Sequence, residues 1–318
     1  MAYTATNSNS NINTVTLSET MTADLDRALA QKSVTGILSD NGLKPKFMGN
    51  GIVIVPELGM SAMGDYDRDT GFVQGAVTIS RTPYQLSQDR GRSFQLDAQD
   101  ADESGIGNLA GEVMAEFVRA QVIPEMDAYV ISKIVGAAAA EEGQVEELTG
   151  ELPADTVFAK MAEAMIAAQD ASDYDEELVC FVDSAIYAAL QSTNELSRQL
   201  SVVDFKRGEV TTKVQAYNGM PIIPVSSARM KSAYTFFDGT SEGQENGGFA
   251  PAEGAKNIGF LILPKKAASL VKKTEKVRVF DPSKNIDVDA WKMDYRLYYD
   301  VFVRNPYKKT IRALTYTA

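Results

Sequence analysis

The chain has 318 residues, of which 44% are hydrophobic and 23% are charged, so it can bury a sizeable core. It has no histidine and one cysteine, which excludes an internal disulfide, a cysteine-rich zinc site and every catalytic arrangement that needs histidine. Its net charge of −12 disfavours binding to phosphate backbones or anionic lipid, and no apolar run approaches the ~18 residues of a membrane span.

The first 32 residues are predicted to form a polar arm and then a short helix. Twelve of residues 1–20 are Ser, Thr or Asn, which leaves too little apolar surface for a core, so we expect another subunit to hold this segment. Residues 20–32 have the spacing of a short amphipathic helix.

Residues 51–96 predict a long β-hairpin. β-Branched residues run from Ile52 to Val55, and apolar residues alternate with polar ones around Val77 and again around Phe94. Because the hairpin can bury little of its own surface, it is only marginally stable alone and should lie on another surface.

A long helix is predicted over residues 104–140, with an interruption at Pro124 because proline removes a helix hydrogen bond. At ~1.5 Å per residue it spans roughly 50 Å, which suits a structural spine. The rest of the chain predicts a mixed α/β unit and closing strands. The elements are helices over 155–169 and 184–196, strands over 178–182, 210–225, 257–263 and 277–279, a surface loop over 238–255, and a hairpin of 297–304 with 310–316.

Two short motifs match known binding sites only loosely. Residues 105–110 fit G-x-G-x-x-A, but an acidic run precedes them where a dinucleotide site needs an apolar strand, so close packing at a helix start explains them better. Residues 65–71 resemble a calcium loop, but the glycine comes one place late and Ala76 stands where a bidentate Glu is needed. A solvated loop tip and carboxylates that pair with arginines of another copy are the alternatives. No metal or cofactor is predicted.

Four single residues are open to a structural or a functional interpretation. Cys180 lies in an apolar strand, which predicts a buried structural thiol. Arg81, Arg90 and Arg92 are predicted on the hairpin, either as solvated side chains or as bidentate partners across a subunit contact.

The charge is unevenly distributed along the chain. Residues 256–318 hold 14 Lys or Arg and 6 Asp or Glu, whereas residues 1–255 hold 17 and 37. Either one protein has separate acidic and basic faces, or the acidic surface of one copy meets the basic surface of another.

Four segments and the order of the elements carry a resemblance to a known family. The segments are Pro56–Met60, Gly64–Phe72, Gln88–Phe94 and Ile123–Tyr129. With the polar arm, the hairpin and the long helix, they resemble the major capsid proteins of tailed bacteriophages with the Hong Kong 97 fold. The resemblance covers nearly the whole chain in element order, and its motifs are specific mainly in combination.

The resemblance implies an α+β fold with named parts. The parts are an N-terminal arm (1–45), an E-loop hairpin lying over an adjacent subunit (46–100), a P domain with the spine helix (101–150), an A domain (151–271) and the C-terminal strands of the P domain (272–318).

The resemblance also implies a function without catalysis and without a cofactor. Copies assemble into the hexamers and pentamers of an icosahedral head shell, in a virion formed in the host bacterial cytoplasm. The shell encloses double-stranded DNA without sequence-specific binding, and no membrane is involved. A separate scaffolding protein is expected because the arm is short, and a portal, a maturation protease and decoration proteins are further candidate partners. No lysine lies between Lys46 and Lys133, so we expect no isopeptide crosslink from the hairpin.

The candidate contacts between subunits are the charged residues of the hairpin and one acidic residue of the spine helix. They are Asp65, Asp67, Arg68, Asp69, Arg81, Arg90, Arg92 and Glu125. Two other functions stay open: an encapsulin-like nanocompartment loaded with enzymes, and a carboxylate-dependent enzyme of α+β fold. The cargo of purified particles distinguishes the first, and a small oligomer in size-exclusion chromatography would indicate the second.

Overall fold

A computed structural model describes most of the chain. The described residues are 33–39, 46–48, 51–99, 109–150, 153–172, 174, 176–192, 200–207, 210–285 and 288–317. The predicted polar arm, the helix over 20–32, the helix start at Ser104 and most of the 105–110 motif lie outside them.

Four α-helices lie within the described residues: α1 (Leu109–Phe117), α2 (Ile123–Ala139), α3 (Ala154–Ala171) and α4 (Ser184–Ser192). A π-helical turn, Val118–Val122, joins α1 to α2 immediately before Pro124. The predicted interruption of the spine is therefore confirmed. Phe117, Val122 and Ile123 all have right-handed helical φ and ψ, so the helix continues through this turn, and Pro124, which has no backbone N–H to donate, follows shortly after it.

Fifteen strands within the described residues form four sheets. They are β1 (Lys46–Met48), β2 (Ile52–Met60), β3 (Val77–Gln85), β4 (Gln88–Asp97), β5 (Val145–Thr149), β6 (Leu178–Asp183), β7 (Leu200–Arg207), β8 (Val210–Tyr217), β9 (Met220–Val225), β10 (Tyr234–Phe236), β11 (Phe249–Pro251), β12 (Asn257–Pro264), β13 (Ala268–Phe280), β14 (Ala290–Val303) and β15 (Arg312–Thr317). The sheet orders are β1-β2-β3, β10-β11, β5-β15-β12-β6-β9-β8-β7 and β13-β14-β4.

The seven-stranded sheet is covered on both faces. Its central strand β6 is buried at all six positions, as expected for a strand enclosed on both sides. Val179 and Phe181 belong to the core that contains α2, whereas Cys180 and Val182 belong to the core that contains α3. The predicted buried strand and the predicted buried thiol of Cys180 are both confirmed.

The spine helix α2 lies between two sheets. Its core cluster includes apolar residues of the seven-stranded sheet and of the three-stranded sheet β13-β14-β4. Tyr129 and Tyr299, for example, meet edge to face with ring centroids 5.7 Å apart. No described helix is long and apolar enough to cross a membrane.

The predicted hairpin over residues 51–96 is correct only for its first two strands. β2 pairs with β3, but β4 pairs with β14 along its whole length, from Ala290 opposite Asp97 to Tyr299 opposite Gln88. Arg90 and Arg92 therefore lie on the body of the protein and not on the hairpin, whereas Arg81 lies on the hairpin as predicted.

The predicted C-terminal hairpin is wrong. A 3₁₀ turn, Asn305–Thr310, separates β14 from β15 and takes the chain to a different sheet. β15 then pairs with β12 and, in parallel, with β5. Alternating apolar residues identify both strands, but this pattern does not specify which strand is the partner.

Candidate inter-subunit surfaces

The hairpin of β2 and β3 is long compared with the small core at its base. The two strands stay paired from Ile52 opposite Gln85 to Met60 opposite Val77, and nine residues of strand span about 30 Å. Only the base is anchored, where Val53 and Val55 pack in a small core with residues of the sheet β13-β14-β4.

One face of this hairpin is apolar and exposed. The register places Leu58 opposite Ile79 and Met60 opposite Val77, on the same face. These four side chains are 63%, 65%, 72% and 66% exposed, respectively. The opposite face carries Gly59, Ser80 and other small or polar residues. We call the exposed ladder of Leu58, Met60, Val77 and Ile79 the apolar face of the hairpin.

The loop at the far end of the hairpin is acidic, and backbone hydrogen bonds within the loop hold one of its carboxylates. Oδ1 of Asp67 accepts hydrogen bonds from the backbone N–H of Asp69 at 2.6 Å and of Thr70 at 3.2 Å. These bonds hold the pKa of Asp67 below its ordinary value. Asp65, Arg68 and Asp69 form no ion pair with any described residue. The described residues contain no cluster of three potential metal ligands from His, Cys, Asp and Glu.

The structure brings two of the predicted contact residues together within one chain. Nε of Arg90 donates to Oε1 of Glu125 at 2.7 Å, and its Nη2 donates to Oε2 at 3.2 Å. Nη1 of Arg90 also donates to the carbonyl of Phe237 at 2.8 Å. Arg90 thus connects β4, the spine helix and the 237–248 loop, and a role for this pair between subunits stays a prediction.

Arg81 and Arg92 have no acidic partner among the described residues. Arg81 lies opposite Pro56 on the same face as the apolar ladder and is exposed. Arg92 is exposed and donates to the carbonyl of Glu245 at 3.1 Å. It lines a cleft of about 560 Å³ between β4, the π-helical turn and the 237–248 loop.

Sequence reasoning found the basic excess of residues 256–318 but missed its concentration on the outer face of the sheet β13-β14-β4. Lys276 lies opposite Arg296, and Arg278 lies opposite Asp294, while the residues between them are buried. Arg296 is bound to Asp89 on β4 at 2.6 and 2.8 Å. The alternation of basic and apolar residues in Lys276–Val279 could have identified this face. We call Lys276, Arg278, Lys292 and Arg296 the basic face.

Sequence reasoning also missed the buried Asp127 of the spine helix. It accepts hydrogen bonds from the hydroxyls of Ser33 and Thr35, both at 2.7 Å, and from the backbone N–H groups of Val34 and Thr35 at 3.2 and 3.1 Å. Nη1 of Arg229 completes the set at 3.2 Å. One carboxylate thus holds residues 33–35 against the spine helix.

A second buried carboxylate, Asp300 on β14, lies where the hairpin joins the body. Its oxygens accept hydrogen bonds from the backbone N–H and the hydroxyl of Ser87, at 3.0 and 2.9 Å. Tyr129 donates its hydroxyl at 2.9 Å, and Nζ of Lys133 is bound to the same carboxylate. Neither aspartate belongs to a recognisable sequence motif, because most of its hydrogen-bond partners are far away in the chain.

Solved shell proteins share this arrangement of elements. The asymmetric unit of the bacteriophage PhiM1 mature capsid has a TM-score of 0.54 at 15% identity and covers 88% of this chain and 84% of that chain. The capsid structure of the cyanophage P-SCSP1u has a TM-score of 0.54 at 16% identity and covers 85% of both chains. The virus-like particle from Pyrococcus furiosus has a TM-score of 0.52 at 10% identity and covers 94% of this chain and 99% of that chain. No protein-family model matches the chain, and no curated protein matches it.

The chain therefore has the fold of a shell-forming protein. More particularly, its mixed helix and sheet architecture is that of phage capsid structures, and the predicted α+β capsid fold is confirmed. Identities of 10–16% establish the fold alone, so the function is argued from the surfaces of this chain.

Proposed function

We propose that the chain is the major capsid protein of a tailed bacteriophage, which assembles with copies of itself into a closed icosahedral shell around double-stranded DNA. The observation that carries the proposal is the apolar face of the hairpin. Its side chains are exposed in the single chain, and the chain has the fold of capsid structures. Full burial of each large apolar side chain stabilises a contact by about 1.5–3 kcal/mol.

Charge supports a contact between copies of the same chain. The hairpin loop holds three aspartates and one arginine over Asp65–Asp69, whereas the basic face lies on the body. Opposite charges on separate parts of one chain can meet only between copies when the hairpin extends away from its own body. Such pairs set orientation more than strength, because an exposed ion pair is worth about 0–1 kcal/mol.

Several weak contacts per copy make a strong shell. A hairpin and an arm that lie on neighbours bury much area for few residues, comparable to the ~1,600 Å² of a standard interface. A subunit held by several neighbours leaves only when all contacts open together. The role is structural, and neither a cofactor nor catalysis is part of it.

The domain boundaries and further partners belong to the same proposal. The N-terminal arm covers 1–45, the A domain covers 151–271, and the P domain combines 101–150 with 272–318. Because β4 pairs with β14, the strand pairing favours an E-loop that ends near Ser87 instead of residue 100. Hexamers and pentamers form with a separate scaffolding protein in the host cytoplasm, while the portal, protease and decoration proteins stay candidates.

The test compares the two faces of the hairpin. Leu58→Asp with Ile79→Asp places charge on the apolar face, and Thr78→Asp with Ser80→Asp is the matched control on the opposite face. We expect the first variant to remain folded and to lose particles in negative-stain microscopy, because a buried unpaired charge opposes the contact. The control should form particles. Equal particle yields from both variants would contradict the proposal.

The cargo of the particles distinguishes a virus head from a nanocompartment. A virus-like particle is among the structures that share this fold, so a shell with protein cargo is the second candidate. Nuclease-protected DNA in particles from infected cells would support the head shell. Enzyme cargo without DNA would support the nanocompartment instead.

A further inference from the structure

The hairpin joins the body at two points, and both are held by one strand. The chain enters the hairpin at Gly51 and leaves it at Leu86 and Ser87, and the backbone N–H of Leu86 donates to the carbonyl of Gly51 at 2.9 Å. On β14, Tyr298 donates its hydroxyl to the carbonyl of Leu86 at 3.3 Å. Two residues further along β14, Asp300 binds Ser87.

The entry point strongly favours glycine. Gly51 has a φ of +74°, and a Cβ there would lie 2.0 Å from the hydroxyl oxygen of Tyr298. Glycine therefore lets the backbone at the entry point lie close to the Tyr298 side chain.

The exit point is a fully satisfied polar cluster. Asp300 is completely buried, and one of its oxygens accepts both the backbone N–H and the hydroxyl of Ser87. The other oxygen accepts from Tyr129, from Lys133 and from the backbone N–H of Val301 at 2.7 Å. The Ser87 hydroxyl lies 2.9 Å from that of Tyr129. Two partners of Asp300 are on the spine helix, so the cluster ties the hairpin to an element that is mostly buried in the core.

We infer that Asp300 is a positioning residue which, through Ser87, sets the direction in which the hairpin leaves the body. We call Ser87, Tyr129, Lys133 and Asp300 the hairpin clamp. The inference rests on the proposed function in one respect: a fixed direction matters because the apolar face must reach a neighbour.

The length of the hairpin explains why the clamp has to be stiff. For a strand of about 30 Å, a rotation of about 10° at the base displaces the far end by about 5 Å. Such a displacement exceeds the width of a single side-chain contact. The far end makes little contact with its own body, so the clamp and the small core at the base supply the direction.

Matched variants separate the clamp from ordinary stability. Asp300→Asn removes the charge, Ser87→Ala removes one hydroxyl, and Ser87→Thr restores it. Ser93 and Asp294 provide the control, since they form the same kind of hydrogen bond at 2.7 Å between β4 and β14, but exposed and outside the hairpin base. The controls are Ser93→Ala and Asp294→Asn.

The direction of the hairpin is read as a distance within one chain. Spin labels on Met63→Cys in the loop and Arg278→Cys in the body report this distance by pulsed electron paramagnetic resonance. Cys180 does not interfere, because burial raises the pKa of its thiol and keeps it unreactive. Labelled full-length chains are diluted into unlabelled ones, so each distance belongs to a single copy whether or not copies associate.

We expect broader distance distributions for Asp300→Asn and Ser87→Ala, and parental distributions for Ser87→Thr and both controls. Hydrogen exchange at the Ser87 amide should become about tenfold faster or more in Asp300→Asn, since the acceptor of its hydrogen bond loses its charge. Distributions equal to those of the controls would overturn the inference. If Asp300→Asn does not fold, the comparison of Ser87→Ala with Ser93→Ala decides. If the unsubstituted chain forms no particles, the proposed function is contradicted, but the distances measured for the hairpin clamp remain valid.

Discussion

At the residue scale, two buried carboxylates hold distant segments of the chain against the body. Asp127 and Asp300 are both completely buried. Asp127 accepts a hydrogen bond from Ser33, more than ninety positions earlier, and Asp300 accepts one from Ser87, more than two hundred positions earlier. A buried charge is tolerated only when it is paired and fully hydrogen-bonded, which both are. Such residues therefore carry a large part of the local stability.

Removal of the Asp127 carboxylate should be strongly destabilising. Asp127→Ala leaves Arg229 and the donors of Ser33 and Thr35 without their acceptor, and we expect a loss of about 3 kcal/mol in the free energy of unfolding. Urea unfolding measures the difference. Glu163→Ala, which breaks an exposed pair with Lys160, is the control and should change the free energy by less than about 1 kcal/mol. If Asp127→Ala changes the free energy of unfolding no more than Glu163→Ala does, the Asp127 cluster is dispensable for stability.

Arg90 and Arg92, two residues apart, should respond differently to charge reversal. Arg90→Glu places a carboxylate beside Glu125 in a largely buried site, so we expect the isolated chain to lose about 3 kcal/mol of stability. Arg92→Glu replaces an exposed side chain and should change stability by about 0.5 kcal/mol or less while reducing particle yield. Thermal unfolding and negative-stain microscopy measure the two effects. Normal particle yield from Arg92→Glu would remove Arg92 from the predicted contacts.

At the scale of elements, the hairpin contributes little to the fold that carries it. The anchored residues lie near its base, whereas the residues from Leu58 to Ile79 are almost all exposed. The spine helix has the opposite character, because most of its residues are buried between two sheets. The fold thus separates an element that stabilises the subunit from an element whose contacts lie elsewhere.

Shortening the hairpin should leave the subunit stable. Glu57 lies opposite Ser80, so an Asn-Gly turn can replace residues 58–79 and close the shorter hairpin. We expect a free energy of unfolding within about 0.5 kcal/mol of the parent, because the removed residues are almost all exposed and their contacts, such as that of Tyr66 with Phe72, are with one another. Calorimetry measures stability, and sedimentation measures the expected loss of particles. A large drop in stability would show that the hairpin folds back on its own subunit.

At the scale of the whole molecule, charge and topology act together. The C-terminal part of the chain supplies the basic face through β13 and β14, and the acidic loop lies on the hairpin near the other end of the chain. These two surfaces hold part of the charge asymmetry, and a contact between them from different copies stays a prediction. The same C-terminal part supplies an inner strand to two sheets. β14 lies between β13 and β4, and β15 lies between β5 and β12.

The sequence by itself determined the type and place of most elements within the described residues. The break before Pro124, the buried strand β6 and the turn between β8 and β9 follow from local patterns; at that turn Asn218 and Gly219 both have positive φ. These features depend on residues a few positions apart, so they can be deduced from the sequence.

Only the tertiary structure decided which strands pair and which charges meet. The backbone groups of every strand are alike, so alternation marks β4 and β15 as strands without naming β14 or β12 as their partners. Arg90 and Glu125 were each predicted as contacts between subunits, and only the packing of β4 on the spine helix shows that they bind each other within one chain. Their role between subunits stays a prediction. Long-range contacts depend on how whole elements pack together, and this packing is settled by the summed burial of many residues instead of any single motif.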